Sequence, residues 1–187
     1  MSLSPVKRLI GAAAVLTLLL SVGARADVPI TYTDGGRALF SVNAPDFWSI
    51  RTGGPRELTA PGTDTPRNVA RVVGMQPVTE QRIWVGFVSP HGVATLAQAR
   101  SYLQDIGPFL VKDAQVDQEK SRRIGGRSAT SFTGKGRRDG KSVNFTAVVI
   151  DLPGARVAIA IVVLEAGVDP EIVNDVNGIF ASFRALQ

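Results

Sequence analysis

Between Gln115 and Leu164 the sequence passes through four β-rich segments separated by three turn dipeptides, Gly125-Gly126, Asp139-Gly140 and Pro153-Gly154. Glycine and aspartate tolerate positive φ and proline presets φ, so each dipeptide marks a tight reversal. Strands are therefore expected over about Gln115–Ile124, Arg127–Arg137, Lys141–Asp151 and Arg156–Leu164. Links this short force antiparallel pairing, because a parallel crossover needs about a dozen residues or more. The stretch reads as a four-stranded meander that the rest of the chain must cover or extend.

Periodicity shows how deep these strands lie. In the third, Val143, Phe145, Ala147 and Val149 point one way, and Asn144, Thr146, Val148 and Ile150 the other. In the fourth, Val157, Ile159, Ile161 and Val163 form a bulky face, while Ala158, Ala160, Val162 and Leu164 form a smaller one, also apolar. An antiparallel sheet with one wet face alternates apolar with polar residues. Here the alternation is nearly lost, so both faces should be covered, and the Ala158/Ala160 face invites close approach of a helix.

Two helices are available for this. Over Val93–Val111, Leu96, Ala99, Leu103 and Ile106 recur at helical spacing, with Pro108 expected to end or kink the helix. Near the C-terminus Asp169 is placed as an N-cap, Pro170 at N1, and Glu171 at the positive end of the dipole. Ile172, Val176, Ile179, Phe180 and Phe183 then give an apolar stripe. Earlier in the chain, Ala38–Val42 and Phe47–Ile50 read as short strands around an Asn43-Ala44-Pro45-Asp46 turn, and Asn68–Met75 and Arg82–Ser89 as two more. Thr52–Arg67, rich in glycine and proline, reads as a long irregular loop. The expected order is β-β-β-β-α-β-β-β-β-α, an α+β fold with a mainly antiparallel sheet and a helix on each face.

The N-terminus stands apart. Lys7 and Arg8 precede an apolar run from Leu9 to Val22, and Ala24-Arg25-Ala26 follows as a small-x-small cleavage site, the three-part pattern of a secretory signal peptide. The run is shorter than the roughly 20 residues a spanning helix needs. Cleavage after Ala26 is expected, leaving residues 27–187 as one domain with no transmembrane segment. Removal takes Lys7, Arg8 and Arg25 and no acidic residue, so the formal charge falls from +5 to +2. That does not suit a strongly cationic nucleic-acid binder. The chain has no cysteine, so it relies on its core instead of disulfides and cannot be a lipoprotein. Export without cysteine reads as a periplasmic protein.

Few residues offer chemistry. His91 is the only histidine, so a Ser–His–Asp site would have to use it. It lies between a strand and a helix with no triad-like neighbours, and a solvated loop histidine is the plainer reading. A zinc site would have to draw its remaining ligands from carboxylates, and no calcium-loop spacing is present. Gly140-Lys141-Ser142 imitates the end of a phosphate-binding loop, but Lys135 stands where the signature needs glycine, and the segment lies in a hairpin. Gly134-Lys135-Gly136 reads as a strand end with a local turn or bulge. Asp117 and Glu119 share a face with Gln115 and Ser121 and read as a solvated edge, while Trp48 and Trp84 read as core. No cofactor is expected.

The basic residues of the meander divide by turn. Arg122, Arg123 and Arg127 flank the first, and Arg137, Arg138 and Lys141 the second. A strand of about ten residues holds the groups roughly 33 Å apart, so they make two small clusters and not one nucleic-acid track. They are the candidate contacts for a partner, set against ordinary protection of strand edges by charge.

Two segments carry a family resemblance. Phe40-Ser41-Val42-Asn43-Ala44-Pro45-Asp46-Phe47-Trp48 resembles the opening strand-turn-strand of PsbP-like proteins, an extended F-x-V followed by proline and then tryptophan. Ile179-Phe180-Ala181-Ser182-Phe183 resembles that family's closing helix with its Ser-Phe pair, and the meander with its Asp139-Gly140 turn fits between, covering about residues 31–185. The resemblance implies an α-β-α sandwich. It also implies kinship with the photosystem II extrinsic protein, the Ran-binding Mog proteins and many exported bacterial proteins, mostly binding or assembly factors without a shared catalytic site. The matching positions are core and turn, so no functional residue is carried over, and neither is the photosystem role.

The expectation is a non-enzymatic periplasmic binding or assembly protein acting through a protein partner or a membrane-associated complex. An alternative is a small-molecule or lipid carrier, which requires an apolar cavity between the sheet and one helix. A third is a hydrolase using His91 with Ser89 or Ser101.

Overall fold

The computed structural model describes residues 27–59 and 66–186. The expected leader, 1–26, and the middle of the expected loop lie outside the described residues. In chain order the elements are β1 (Asp27–Asp34), β2 (Arg37–Pro45), β3 (Trp48–Gly53), β4 (Arg56–Thr59), β5 (Pro66–Val69), β6 (Val72–Pro77) and β7 (Ile83–Val88). There follow α1 (Leu96–Leu110), β8 (Lys112–Ile124), β9 (Arg127–Arg138), β10 (Lys141–Leu152), β11 (Arg156–Glu165), α2 (Pro170–Ala181) and β12 (Arg184–Ala185).

Turn chemistry builds the meander as expected. Gly125 and Gly126 have φ of 53° and 76°, and Asp139 and Gly140 of 50° and 81°, so both two-residue turns place positive φ at their two central positions. The third reversal takes three residues, Pro153, Gly154 and Ala155. The meander then joins a larger, wholly antiparallel sheet of order β3-β6-β7-β11-β10-β9-β8. Because β7 pairs with β11, α1 is the link that carries the chain from mid-sheet to its far edge. At that edge β8 pairs, among the described residues, only with β9 and is exposed from Lys112 to Arg123. A second sheet, of order β1-β2-β12, and a β4–β5 hairpin complete the described residues.

The two faces of β11 are both buried. Val157, Ile159, Ile161 and Val163 pack in one cluster with Ala99 and Ile106 of α1. Ala158, Ala160 and Val162 pack in the other with Val176 and Ile179 of α2 and with Tyr32, Phe40 and Val42 of the small sheet. The small side chains of β11 leave room there for a chain of rings. Phe40 stacks on Tyr32 at 4.9 Å and on Phe183 at 5.3 Å, and approaches Phe87 at 5.9 Å. One aromatic residue thus joins the small sheet, the large sheet and the α2 end.

Each helix start is capped locally. Thr95 Oγ1 accepts from the Gln98 amide at 3.2 Å, and Gln98 Oε1 accepts from the Thr95 amide at 3.1 Å, a reciprocal box. Asp169 accepts from the Glu171 amide at 2.8 Å, with Pro170 at the first helical position.

Several expectations need correction. Among the described residues seven strands precede α1, not four, because β1, β4 and β5 all form, and β12 follows α2. The expected irregular loop Thr52–Arg67 holds the end of β3, all of β4 and the start of β5. The helix starts at Leu96, where the Thr95 box begins it, and continues two residues past Pro108. Pro108 has no amide to give the Gln104 carbonyl, and the helix ends two residues beyond it. Gly134 and Gly136 lie within β9, and the register shifts occur on β8 opposite them, between Lys112 and Gln115 and between Val116 and Gln118. The cause is crowding: a Cβ on Gly134 would stand 2.0 Å from the Gln115 carbonyl oxygen, and one on Gly136 would stand 2.7 Å from that of Lys112. Trp48 is core, but Trp84 is half-buried and lies across Gly74 and Gly86, filling the space their missing side chains leave.

Candidate functional site

Two cavities and two charged strand ends could meet a ligand or partner. The first cavity, of about 600 Å3, opens where β1, the β5–β6 link, the β7 end and α1 converge. Tyr32, Asp34, Arg71, Ser89, His91 and Tyr102 give it polar walls. The two phenols both hold the β5–β6 link. Tyr32 Oη donates to the Arg71 carbonyl at 2.7 Å, and Tyr102 Oη accepts from the Ala70 amide at 3.3 Å. Burial raises the Tyr32 pKa, with the Ser89 backbone working against it, and pushes that of Tyr102 up to about 12. Both phenols therefore keep their protons at neutral pH.

At one wall Arg156, from the start of β11, meets Asp34, from the tip of β1. The guanidinium Nη1 lies 2.9 Å from Asp34 Oδ2, and Nη2 donates to the Ser89 carbonyl at 2.9 Å and to its hydroxyl at 3.1 Å. The Arg156 Nε is buried without an acceptor among the described residues. His91 Nδ1 stands 3.8 Å from the same Asp34 oxygen, with its ring 92% exposed. The Ser89 hydroxyl donates to the Val157 carbonyl at 2.7 Å, so its proton points away from His91. Ser101 donates to the Ala97 carbonyl at 3.3 Å. Neither serine has the base contact that would make it a nucleophile. Among the described residues no group of three or more acidic or histidine side chains could hold a metal ion.

The second cavity, of about 540 Å3, lies between α1 and the meander. Leu103, Leu110, Val116, Phe132, Phe145 and Ile161 line it. At its rim Arg100 pairs with Glu119 and lies 4.9 Å over the Phe132 ring. The cavity has the place and the apolar lining that the carrier alternative requires.

The six basic residues proposed from the sequence fall at opposite ends of β9 and divide by their partners. Arg127 bonds the Asp151 carbonyl at 3.0 Å and its carboxylate at 2.9 Å. Lys141 pairs with Glu165 at 2.8 Å, and Arg138 with Asp139 at 3.8 Å while lying 5.7 Å over the Trp84 ring. Arg123 donates to the Gly126 carbonyl at 2.6 Å and Arg137 to the Gly140 carbonyl at 3.3 Å, so each is fastened to its own turn with no acid opposite it. Arg122 is exposed on β8, in register with Ala129.

Sequence reasoning missed Tyr32, Asp34, Arg71, Tyr102 and Arg156 as a group. They come from four separate segments, and no spacing rule joins them. The one available signal was scarcity, since the chain has two tyrosines and one histidine, and all three line the first cavity.

No protein-family model matches the chain, and no curated protein matches it either. Solved structures do share its architecture. Cyanobacterial PsbP (CyanoP) from Synechocystis sp. PCC 6803 is similar at 12% identity over 95% of this chain and 99% of that one, with a TM-score of 0.52. A protein of Bacteroides thetaiotaomicron VPI-5482 is similar at 12% identity over 80% of this chain and 46% of that one, with a TM-score of 0.50. LpqN, involved in cell envelope biogenesis of Mycobacterium tuberculosis, is similar at 18% identity over 87% of this chain and 91% of that one, with a TM-score of 0.48. Identities this low speak to fold alone. The antiparallel sheet with α1 on one face and α2 on the other, and the overlap with CyanoP along nearly the whole of both chains, agree: the chain has a PsbP-like fold.

Proposed function

We propose that this chain is an exported, non-enzymatic accessory or binding protein of the periplasm that docks on a protein partner or a membrane-associated complex. The leader pattern in residues 1–26 supports export. Among the described residues no helix is long and apolar enough to cross a membrane. The docking reading rests on Arg123 and Arg137. Each is exposed, yet held by a carbonyl of its own turn, which fixes the guanidinium without neutralising it. A cation ordered in advance loses less freedom when it meets an acidic partner. Arg122 extends the first end, whereas Arg127, Arg138 and Lys141 are engaged by acids of this chain and contribute shape more than charge.

The expected result of placing a photo-crosslinking residue beside either turn in intact cells is one discrete product. Arg123→Glu combined with Arg137→Glu should abolish it with little change in thermal midpoint. A product that survives both reversals would remove these surfaces from consideration.

A second reading is favoured by the cavity under α1. An apolar space of about 540 Å3 matches the size of ligand pockets, which run from about 300 to 1,000 Å3. On this reading the chain carries a small molecule or lipid, and native mass spectrometry of the purified protein should show a bound mass that Ala147→Trp displaces. A bare protein mass throughout would sink it.

A further inference from the structure

We infer that the first cavity is a binding site for a small organic anion, a carboxylate borne on an apolar ring. It is independent of the docking ends and of the cavity under α1, with which it shares no lining residue. Every tyrosine of the chain and its only histidine face this one space. Its volume of about 600 Å3 also lies in the ligand-pocket range of about 300–1,000 Å3.

The charges decide the class of ligand. Asp34 is already answered by Arg156 at 2.9 Å. Arg71 is exposed on the wall and makes no ion pair among the described residues, so among them it is the cation of this wall left open to an anion. A planar guanidinium receives a carboxylate through two parallel hydrogen bonds. Tyr102 can add a third. Its oxygen takes the Ala70 amide proton, and its own proton has no acceptor among the described residues. Tyr32 has given its proton to the Arg71 carbonyl and its ring is stacked on Phe40, so it holds the wall in place and does not bind the anion itself. Val69, Pro90 and Val93 give the cavity an apolar lining beside these polar groups, which suits the ring that bears the carboxylate.

His91, 92% exposed at the rim, is a single and therefore unambiguous proton NMR reporter. The purified protein would be titrated at neutral pH with benzoate, with benzyl alcohol as the uncharged ring and acetate as the ringless charge. Benzoate should shift the His91 and Tyr102 ring signals saturably. Affinity should fall about tenfold or more in Arg71→Ala, and for either control compound, as loss of a charge-assisted pair requires. Should Arg71→Ala fail to fold, Arg71→Gln carries the same two outcomes. Absence of a saturable shift with benzoate overturns the inference. So does equal affinity in the Arg71 variant or for benzyl alcohol.

Discussion

Phe183→Ala should lower the unfolding free energy by about 3–5 kcal/mol, the range for emptying a fully buried aromatic site. Phe183 is 0% exposed, follows α2, and stacks on Phe40 at 5.3 Å. Its carbonyl also lies against Gly125, where a Cβ would come within 2.4 Å of that oxygen, so the turn between β8 and β9 is packed against the same residue. Deleting the ring leaves a void among groups from the small sheet, the meander turn and α2, which cannot all close on it at once. Urea denaturation should show a lower midpoint with an unchanged slope. A loss below about 1 kcal/mol would mean that these three parts are not joined through the ring.

Gly134→Ala should cost about 3 kcal/mol, at the upper end of the usual penalty for overpacking. The added methyl would lie 2.0 Å from the Gln115 carbonyl oxygen and 2.6 Å from Phe145 Cζ. The first neighbour is backbone, so β8 itself would have to move. Phe145 also lines the cavity under α1, so a ligand retained there should be weakened in the same variant. Gly53→Ala is the matched control. Its Cβ would meet only the Val72 carbonyl at 3.9 Å, and a change within about 0.5 kcal/mol is expected. Equal losses in the two variants would show that β8 does not crowd β9.

What could be read from the sequence was local. Gly125-Gly126 and Asp139-Gly140 announce their turns because positive φ is a property of the two residues themselves. Asp169-Pro170 announces a helix start for the same reason. The apolar faces of β11 announced cover on both sides, since a strand cannot hide where its side chains alternate. The hidden parts depend on distant neighbours. Gly134 and Gly136 resemble a turn in sequence and are glycine because another strand crosses close by. Arg56–Thr59 pairs only with Pro66–Val69, and two such short strands have too little pattern to be seen. The first cavity is assembled from Tyr32, Arg71, His91 and Tyr102, which only the folded chain brings together. The docking residues could be listed from the sequence, but their separation into acid-paired and unopposed cations required side-chain partners.

The uncovered strand β8 has a consequence for crowded solutions. Its outward backbone groups offer an edge on which the same strand of a second copy could pair. Same-face antiparallel self-association centred on residue 118 sets Asp117 against Glu119; centred on 119 it sets Glu119 against itself. Moved to 120 it opposes Lys120 with Lys120, and at 121 it opposes Lys120 with Arg122. Arg123 meets Asp113, Asp117 and Glu119 in the alignments centred on 118, 120 and 121, so only the one centred on 119 sets like charges together with no opposite pair, and that is the register the edge disfavours by its own lettering.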